Sequence, residues 1–482
     1  MNVKIVIRVL GFLILIEGIA IAAALLVSLY YGEYDARAFF ISMLINFFSG
    51  GLILLLTKNT DKKLGKREAF LIVSLVWVVC SAFGSLPYIL SGALPRFHDA
   101  FFETMSGFTT TGSTVINNIE ILPHGILFWR SITQWLGGMG IVVLSLAVLP
   151  VFGIGGMQLF AAEVPGPTPD KFSPRVKHTA RALWVIYFTY TMVEIYLLWL
   201  GGMSVFDSVC HSFTTMATGG FSTKNASIAF WPSAYIQYVI IFFMFLAGIN
   251  FTLSFMLFKG KFKRALIDEE LKYYFYFVVA FTLLFFGGLL LTSQLGVEKA
   301  FRDAMFQVVS IMTTTGFATT DYLLWKPVLV ALLFALFFVG GSTGSTGGSI
   351  KIMRIVLLFK NSYYELKRMI HPQAVIPVRF NKHTVESKTI NNILAFFVLY
   401  FVAFGFGTIL MMIFEPDLET SMGAVATCLG NIGPGLGKVG PMFTFSYLEP
   451  AAKWLLSFLM LIGRLELFTI LMLFTPAFWK NS

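Results

Sequence analysis

Charge is what this chain most conspicuously lacks. Of its 482 residues only 12% are Asp, Glu, Lys or Arg, while 57% are hydrophobic. A soluble domain carries about 25% charged residues, so a water-facing surface for a chain of this size is not available. Cysteine is nearly absent: Cys80, Cys210 and Cys428 are far apart and fall in apolar or half-apolar stretches. That spacing excludes a disulfide framework and a cysteine-based metal site, leaving three small apolar packing residues. Histidine is equally sparse. His98, His124, His178, His211, His371 and His383 are scattered, with no His-x-x-x-His or Glu-x-x-His pairing. A membrane-embedded enzyme would need a polar catalytic cluster, so the chain is read as no enzyme; His98 and His211 are expected at the surface. The net charge of +10 does not imply nucleic acid, because most of the cations sit in the segments between apolar runs.

What is present is a series of long apolar runs. About 20 mostly apolar residues cross a hydrocarbon layer of about 30 Å. Such runs cover residues 5–30 and 38–57, then 69–90, 126–151, 181–200, 234–258, 273–293, 327–359 (interrupted), 390–414 and 452–474. The first exceeds the apolar stretch of a signal peptide and has no small-residue cleavage site, which reads as a retained span. Lys58, Lys62, Lys63, Lys66 and Arg67 follow the second run, and basic connections recur at 153–179, 259–264 and 360–388. Cations accumulate on the cytoplasmic side, so both termini are expected in the cytoplasm.

Between the later runs lie four short, half-apolar segments, each followed by a turn: Thr109-Thr110-Thr111-Gly112, Thr218-Gly219-Gly220-Phe221, Thr313-Thr314-Thr315-Gly316-Phe317 and Asn431-Ile432-Gly433-Pro434. In the first three an Asp stands thirteen residues before the glycine (Asp99, Asp207, Asp303); in the fourth Asp417 stands sixteen before Gly433. A unit of span, half-helix, turn and span therefore recurs four times. The expected architecture is an all-α integral membrane protein with two leading transmembrane helices (1–68) and four parallel units at 69–152, 153–260, 261–360 and 361–482. Half-helices are expected near 99–108, 206–216, 299–312 and 419–428.

Each unit crosses the membrane twice, so successive units share one orientation, as in repeats related by an axis along the membrane normal. Non-helical backbone at membrane depth must be buried in protein or line water; four such turns around one axis can share one wet centre. Glycine permits backbone angles other residues resist, and carbonyl rings can replace the hydration shell of K+. Half-helices pointing inward would add negative dipole ends. Thr and Gly also let membrane helices pack closely, which explains one such turn better than four at matching places.

The third unit carries a glycine-rich interruption: Gly340, Gly341, Ser342, Thr343, Gly344, Ser345, Thr346, Gly347, Gly348 and Ser349. It is not a phosphate loop, because the Gly-Lys-Ser/Thr ending is missing and Lys351 follows Ser349-Ile350. It reads as a gate beneath the turns, the alternative being a static helix break. Arg464, in the last span, would face the ion path or hold this loop shut; the competing reading is a local pair with Glu466, although residues two apart on a helix do not face each other. Glu17 and Glu194 sit in spans without an evident partner, and Lys453 is expected to snorkel to the surface.

These motifs resemble those of the bacterial TrkH/TrkG potassium-uptake subunits, within the larger group that includes KtrB and the plant HKT transporters. The resemblance covers the whole chain. It is carried by Gly107-Phe108 with the first turn, Thr133-Gln134-Trp135-Leu136-Gly137-Gly138-Met139-Gly140, Gly153-Ile154-Gly155-Gly156-Met157-Gln158, the other three turns and the glycine loop. It implies a homodimer in the bacterial inner membrane, one pore per subunit and K+ as the ion carried. The selectivity filter would comprise Thr110, Thr111, Gly112, Thr218, Gly219, Gly220, Thr314, Thr315, Gly316, Asn431, Ile432 and Gly433. K+ would meet the carbonyls of Thr110, Thr111, Gly219, Gly220, Thr315, Gly316, Ile432 and Gly433. The family gate maps to Gly340 through Ser349 with Arg464, and the partner to a cytosolic TrkA-like nucleotide-binding ring. Channel-like permeation is the leading expectation; a Na+- or H+-coupled symporter or a Na+-permeable transporter is the alternative.

Overall fold

A computed structural model describes residues 2–58, 65–140 and 176–479. The chain is all-α, apart from one two-residue hairpin pairing Arg379–Phe380 with His383–Thr384. Two leading helices, Val3–Tyr31 and Ala36–Leu56, lie against each other with Gly11 and Gly50 at the contact. The Arg8 guanidinium donates to the carbonyls of Thr57 (2.6 Å) and Lys58 (3.0 Å), satisfying groups that the end of the second helix leaves unpaired.

Four units follow. Their half-helices are Phe97–Phe108, Val205–Met216, Val297–Met312 and Leu418–Gly430, 12 to 16 residues each. At 1.5 Å per residue none can span a membrane. Each follows a long helix: Lys66–Gly84 continued by Leu86–Ser91, then Val176–Leu200, Glu269–Thr292 and Ser387–Met411.

The second and fourth returning legs differ from the expected unbroken spans, and the third breaks where an interruption was expected. The second bends by 107° between Ala234–Ala247 and Phe251–Phe258. Asn250 restarts it by accepting the Thr252 amide at 2.8 Å, while the Gly248 carbonyl, freed from the helix ladder, accepts Ser342 N at 2.9 Å. The third stops at Leu336 and resumes as Ile352–Ile370. The fourth, Pro450–Arg464, breaks at Glu466 and Leu467, both with positive φ, before Phe468–Leu473. Among the described residues, six helices are long and apolar enough to cross a membrane, seven with the bent pair; ten spans were expected, and the broken returns account for part of the difference. The first returning leg is described over His124–Gly138. The expected 126–151 span from residue 141 on and the connection through Arg175, with Gly153–Gln158 and Lys171, lie outside the described residues.

A candidate filter ring and the loop beneath it

Every half-helix ends in the same way. The amide of Thr111, Gly219, Thr315 and Ile432 donates to the carbonyl five residues earlier (Ser106, Thr214, Ser310, Thr427) at 2.8–3.0 Å. The preceding amides of Thr110, Thr218, Thr314 and Asn431 donate three residues back. This is the Schellman pattern, which normally places glycine in the left-handed position. Here Thr110 (φ 53°), Thr218 (53°), Thr314 (58°) and Asn431 (53°) occupy it. The left-handed region costs a non-glycine residue about 1–2 kcal/mol, and a β-branched one is a true outlier. Three threonines are strained in this way, while Asn431 is of a type that tolerates the left-handed region.

Two residues on, Gly112, Gly220, Gly316 and Gly433 also have positive φ, 74° to 110°. The residue between has negative φ, and this alternation turns neighbouring peptide groups the same way, amides to one face and carbonyls to the other. The amides face the half-helix carbonyls just named. The glycines show where the turns meet. A Cβ on Gly112 would run into the Gly219 carbonyl oxygen, on Gly220 into that of Thr315, on Gly316 into that of Ile432, and on Gly433 into that of Thr111 at 2.9 Å. Each unit abuts the next and the fourth abuts the first, so the four turns close into one ring. The outer loops close with it: Ile119 N donates to Asn225 Oδ1 (2.8 Å), Ala229 N to Ala318 O (3.1 Å), Tyr322 Oη to Gly435 O (2.7 Å) and Phe445 N to Thr114 O (2.8 Å).

The side chains of the ring are bonded into its surroundings. Gln134 donates Nε2 to Gly219 O (2.7 Å) and accepts Phe221 N (3.0 Å), locking the second turn from the first unit. Ser113 Oγ donates to Gly433 O at 2.9 Å, and Asn431 Nδ2 to Thr111 Oγ1 at 2.9 Å. Two of the eight expected ion-facing carbonyls, those of Gly219 and Gly433, thus already accept one hydrogen bond.

The interruption from Gly340 to Ser349 lies directly beneath. Gly348 N donates to Thr314 Oγ1 (2.7 Å), and Thr346 Oγ1 to Met216 O (3.1 Å), at the end of the second half-helix. A Cβ on Gly348 would strike Gly430 O, and one on Gly347 would lie 2.8 Å from Thr313 O. Ser349 Oγ donates to Phe337 O (2.7 Å), Thr343 N to Glu270 Oε1 (2.6 Å), and the Lys351 ammonium to Gly347 O. Arg464 joins the loop to the ring. Its guanidinium donates to Thr346 O (2.8 Å), Thr110 Oγ1 (3.2 Å), Gly137 O (2.6 Å) and Gly138 O (3.2 Å). Glu466 pairs with Arg354, on the helix leaving the loop; the local Arg464 pairing is replaced by this longer-range one because the helix break turns Glu466 away.

Two expectations are corrected. Lys453 does not reach the surface: it is buried, its ammonium 2.6 Å from Asp99 Oδ1 and 2.8 Å from Ser446 O. His211 is fully buried, with Nε2 2.9 Å from Ser222 Oγ and Nδ1 2.8 Å from Asp207 O. The repeated Asp has a structural use in the middle units, where Asp207 accepts Thr223 Oγ1 (2.6 Å) and Asp303 accepts Thr319 Oγ1 (3.2 Å), each tying the half-helix to the extended segment beyond its glycine. Glu17 and Glu194 are buried, beside Cys80 and Thr215, with no charged partner among the described residues.

Residues not anticipated are Gln134, Glu103 and Arg130. Glu103 and Arg130 form an ion pair of 3.0 Å with side chains 0% and 2% exposed. A signal was present: Glu103, His211, Gln307 and Ala424 each stand nine residues before the turn glycine.

Long apolar helices, half-helices and a closed ring of turns define a multi-pass helical membrane protein built around one axis. The sequence profile of the TrkH family, described as a cation transport protein, matches residues 35–297 and 279–481. The chain belongs to that family. It is 40% identical to the Trk system potassium uptake protein TrkH of Halomonas elongata over 484 residues, and 40% identical to that of Escherichia coli over 490, covering 100% of both chains in each case. To Escherichia coli TrkG it is 34% identical, over 100% of this chain and 99% of the relative. The crystal structure of the potassium transporter TrkH from Vibrio parahaemolyticus matches with a TM-score of 0.90 at 38% identity, each chain covered in full.

Proposed function

We propose that this chain is the ion-translocating, potassium-uptake subunit of a bacterial Trk system, with the ring of turns as a K+ filter and the glycine-rich loop as its gate. The observation that carries this is the cyclic contact of each turn glycine with the next unit's carbonyl oxygen. Such a ring gathers carbonyl dipoles on one axis, as K+ coordination requires. Four half-helix carboxyl ends converge there, each adding a favourable dipole for a cation. The contacting residues are Thr110, Thr111, Gly219, Gly220, Thr315, Gly316, Ile432 and Gly433.

The gate is the segment Gly340–Ser349, held up against the ring by Thr314, Met216 and Arg464. Permeation is channel-like and needs no catalytic group. Residues 1–68 are the leading helices, and 69–152, 153–260, 261–360 and 361–482 the four units. Both termini face the cytoplasm of the inner membrane. The protein works as a homodimer, and a cytosolic TrkA-like nucleotide-binding ring docks on basic connections such as 360–388. The names of the relatives, all Trk potassium uptake proteins, support this assignment.

The test is uptake of radiolabelled rubidium into proteoliposomes holding the purified chain, with external K+ or Na+ as competitor. Block by K+ and not by Na+ is expected. Equal block by both overturns the K+ filter.

A further inference from the structure

We infer that the buried Glu103–Arg130 ion pair is a positioning device that sets the spacing of the first two filter turns and thereby the discrimination of K+ from Na+. The inference rests on the filter reading above and goes beyond it, since neither residue is part of a turn.

Both side chains are almost completely buried, and every strong contact they make is to the segments just past two turn glycines. Glu103 stands on the first half-helix. Its carboxylate accepts Thr114 Oγ1 at 2.9 and 3.0 Å, Val115 N at 2.9 Å and Arg130 Nε at 3.0 Å. Thr114 and Val115 are the second and third residues after Gly112. Arg130, on the returning leg of the same unit, sends its other arm to Ser222 O at 2.9 Å, the second residue after Gly220. Its guanidinium carbon lies 4.2 Å from the centre of the Phe221 ring. One planar fork therefore grips the exit segments of two neighbouring units, a geometry lysine cannot reproduce in full.

Stability alone does not explain the pair. Removing two charges from water costs several kcal/mol per ion, and well-packed apolar residues of the same volume often hold a fold as well. What a hydrogen-bonded pair adds is fixed geometry. The matching positions in the other units carry no such pair. His211 bonds to Ser222 Oγ and so extends the network within the second unit. Gln307 is buried with both amide atoms unpartnered, and Ala424 has no polar group. The clamp is confined to the junction of the first two units, beside Gly112, whose Cβ-free face meets Gly219 O. A shift of a few tenths of an ångström there changes the distance between carbonyls that must fit K+ and not the smaller Na+.

The experiment compares full-length Glu103→Gln, Arg130→Gln, the double variant and Arg130→Lys, reconstituted in proteoliposomes, with Gly112→Ser run in parallel. The readout is the ratio of Na+ to K+ concentrations that halve rubidium uptake, for preparations that elute as the parent does and melt cooperatively. Each glutamine variant should narrow that ratio on the order of tenfold, about one charged hydrogen bond. The double variant should be no worse than either single, because the two act as a unit. Arg130→Lys should recover part of the ratio. An unchanged ratio in folded variants, even with slower uptake, overturns the inference if Gly112→Ser does shift it. If Gly112→Ser also leaves the ratio intact, the filter reading fails and the inference falls with it. Should the charged-site variants not fold, Thr114→Val, which removes one donor and leaves the pair whole, decides: a smaller shift in the same direction supports the clamp, and no shift overturns it.

Discussion

Gly112 has no room for a side chain, since its φ is 85° and the Gly219 carbonyl oxygen occupies the Cβ position. Gly112→Ser must therefore push the first two turns apart, and rubidium uptake by this variant should become sensitive to Na+ while K+ competition weakens. Arg464 acts at the same level through a different bond. Replacing it with methionine removes the donor to Thr346 O and leaves Thr346 Oγ1 and Gly348 N still bonded to Met216 O and Thr314 Oγ1. The loop loses one of its charged anchors, so basal rubidium uptake should rise several-fold, about the size of one charged hydrogen bond. Lys453 tests folding alone. Lys453→Met would strand Asp99 in a largely buried setting at a cost of about 3 kcal/mol, visible as a lower melting temperature with the ion preference retained. Sequence patterning named Gly112 for the filter and Arg464 for the gate; Gly112 lies in the ring of turns and Arg464 bonds both that ring and the glycine-rich loop. The same patterning misjudged Lys453, because a lysine near a span end can snorkel or find a buried acid, and the acid here lies 354 positions away.

Half-helices and loop obey different local rules. Each half-helix ends in a Schellman turn at its inner end, and the second and fourth also carry a side-chain cap at the outer end, from Ser204 and Asp417. Asp417 caps the fourth, accepting Thr420 N at 3.2 Å and the Thr420 hydroxyl. Those bonds, the hydroxyl's first, hold its carboxyl below the usual carboxylate range. A depressed folded value means the stabilisation is complete above the ordinary carboxylate pKa and fades as pH falls through the depressed one. Asp417→Asn should thus differ from the parent in melting temperature at neutral pH, and the two should converge in acid. The loop needs its glycines for contact rather than for freedom. A Cβ on Gly348 collides with Gly430 O, and on Gly347 it crowds Thr313 O, whereas on Gly344 it would sit tightly, 3.2 Å from the Asn250 side chain, at a φ of 77°. Alanine at Gly347 and Gly348 together should unseat the loop and change basal uptake; uptake equal to the parent's would make the loop a static break.

Over the whole molecule, periodic chemistry and ring geometry have different origins. The four units were legible because each had to hide a half-helix and a non-helical turn inside a membrane, and only a few residue types permit that. Apolar run length revealed the all-α class, and the Thr/Gly turns revealed where the backbone leaves the helix. Both are local constraints, written within about twenty residues. The tertiary structure decided what no local stretch encodes: that the fourth turn closes onto the first, that Arg464 reaches past Glu466 to Thr346, and that the second and fourth returning legs break. It also decided that Glu103 and Arg130 join two units from behind. Those outcomes depend on contacts between residues tens to hundreds of positions apart, whose identity in sequence says only that a polar group must be satisfied, and not by which partner.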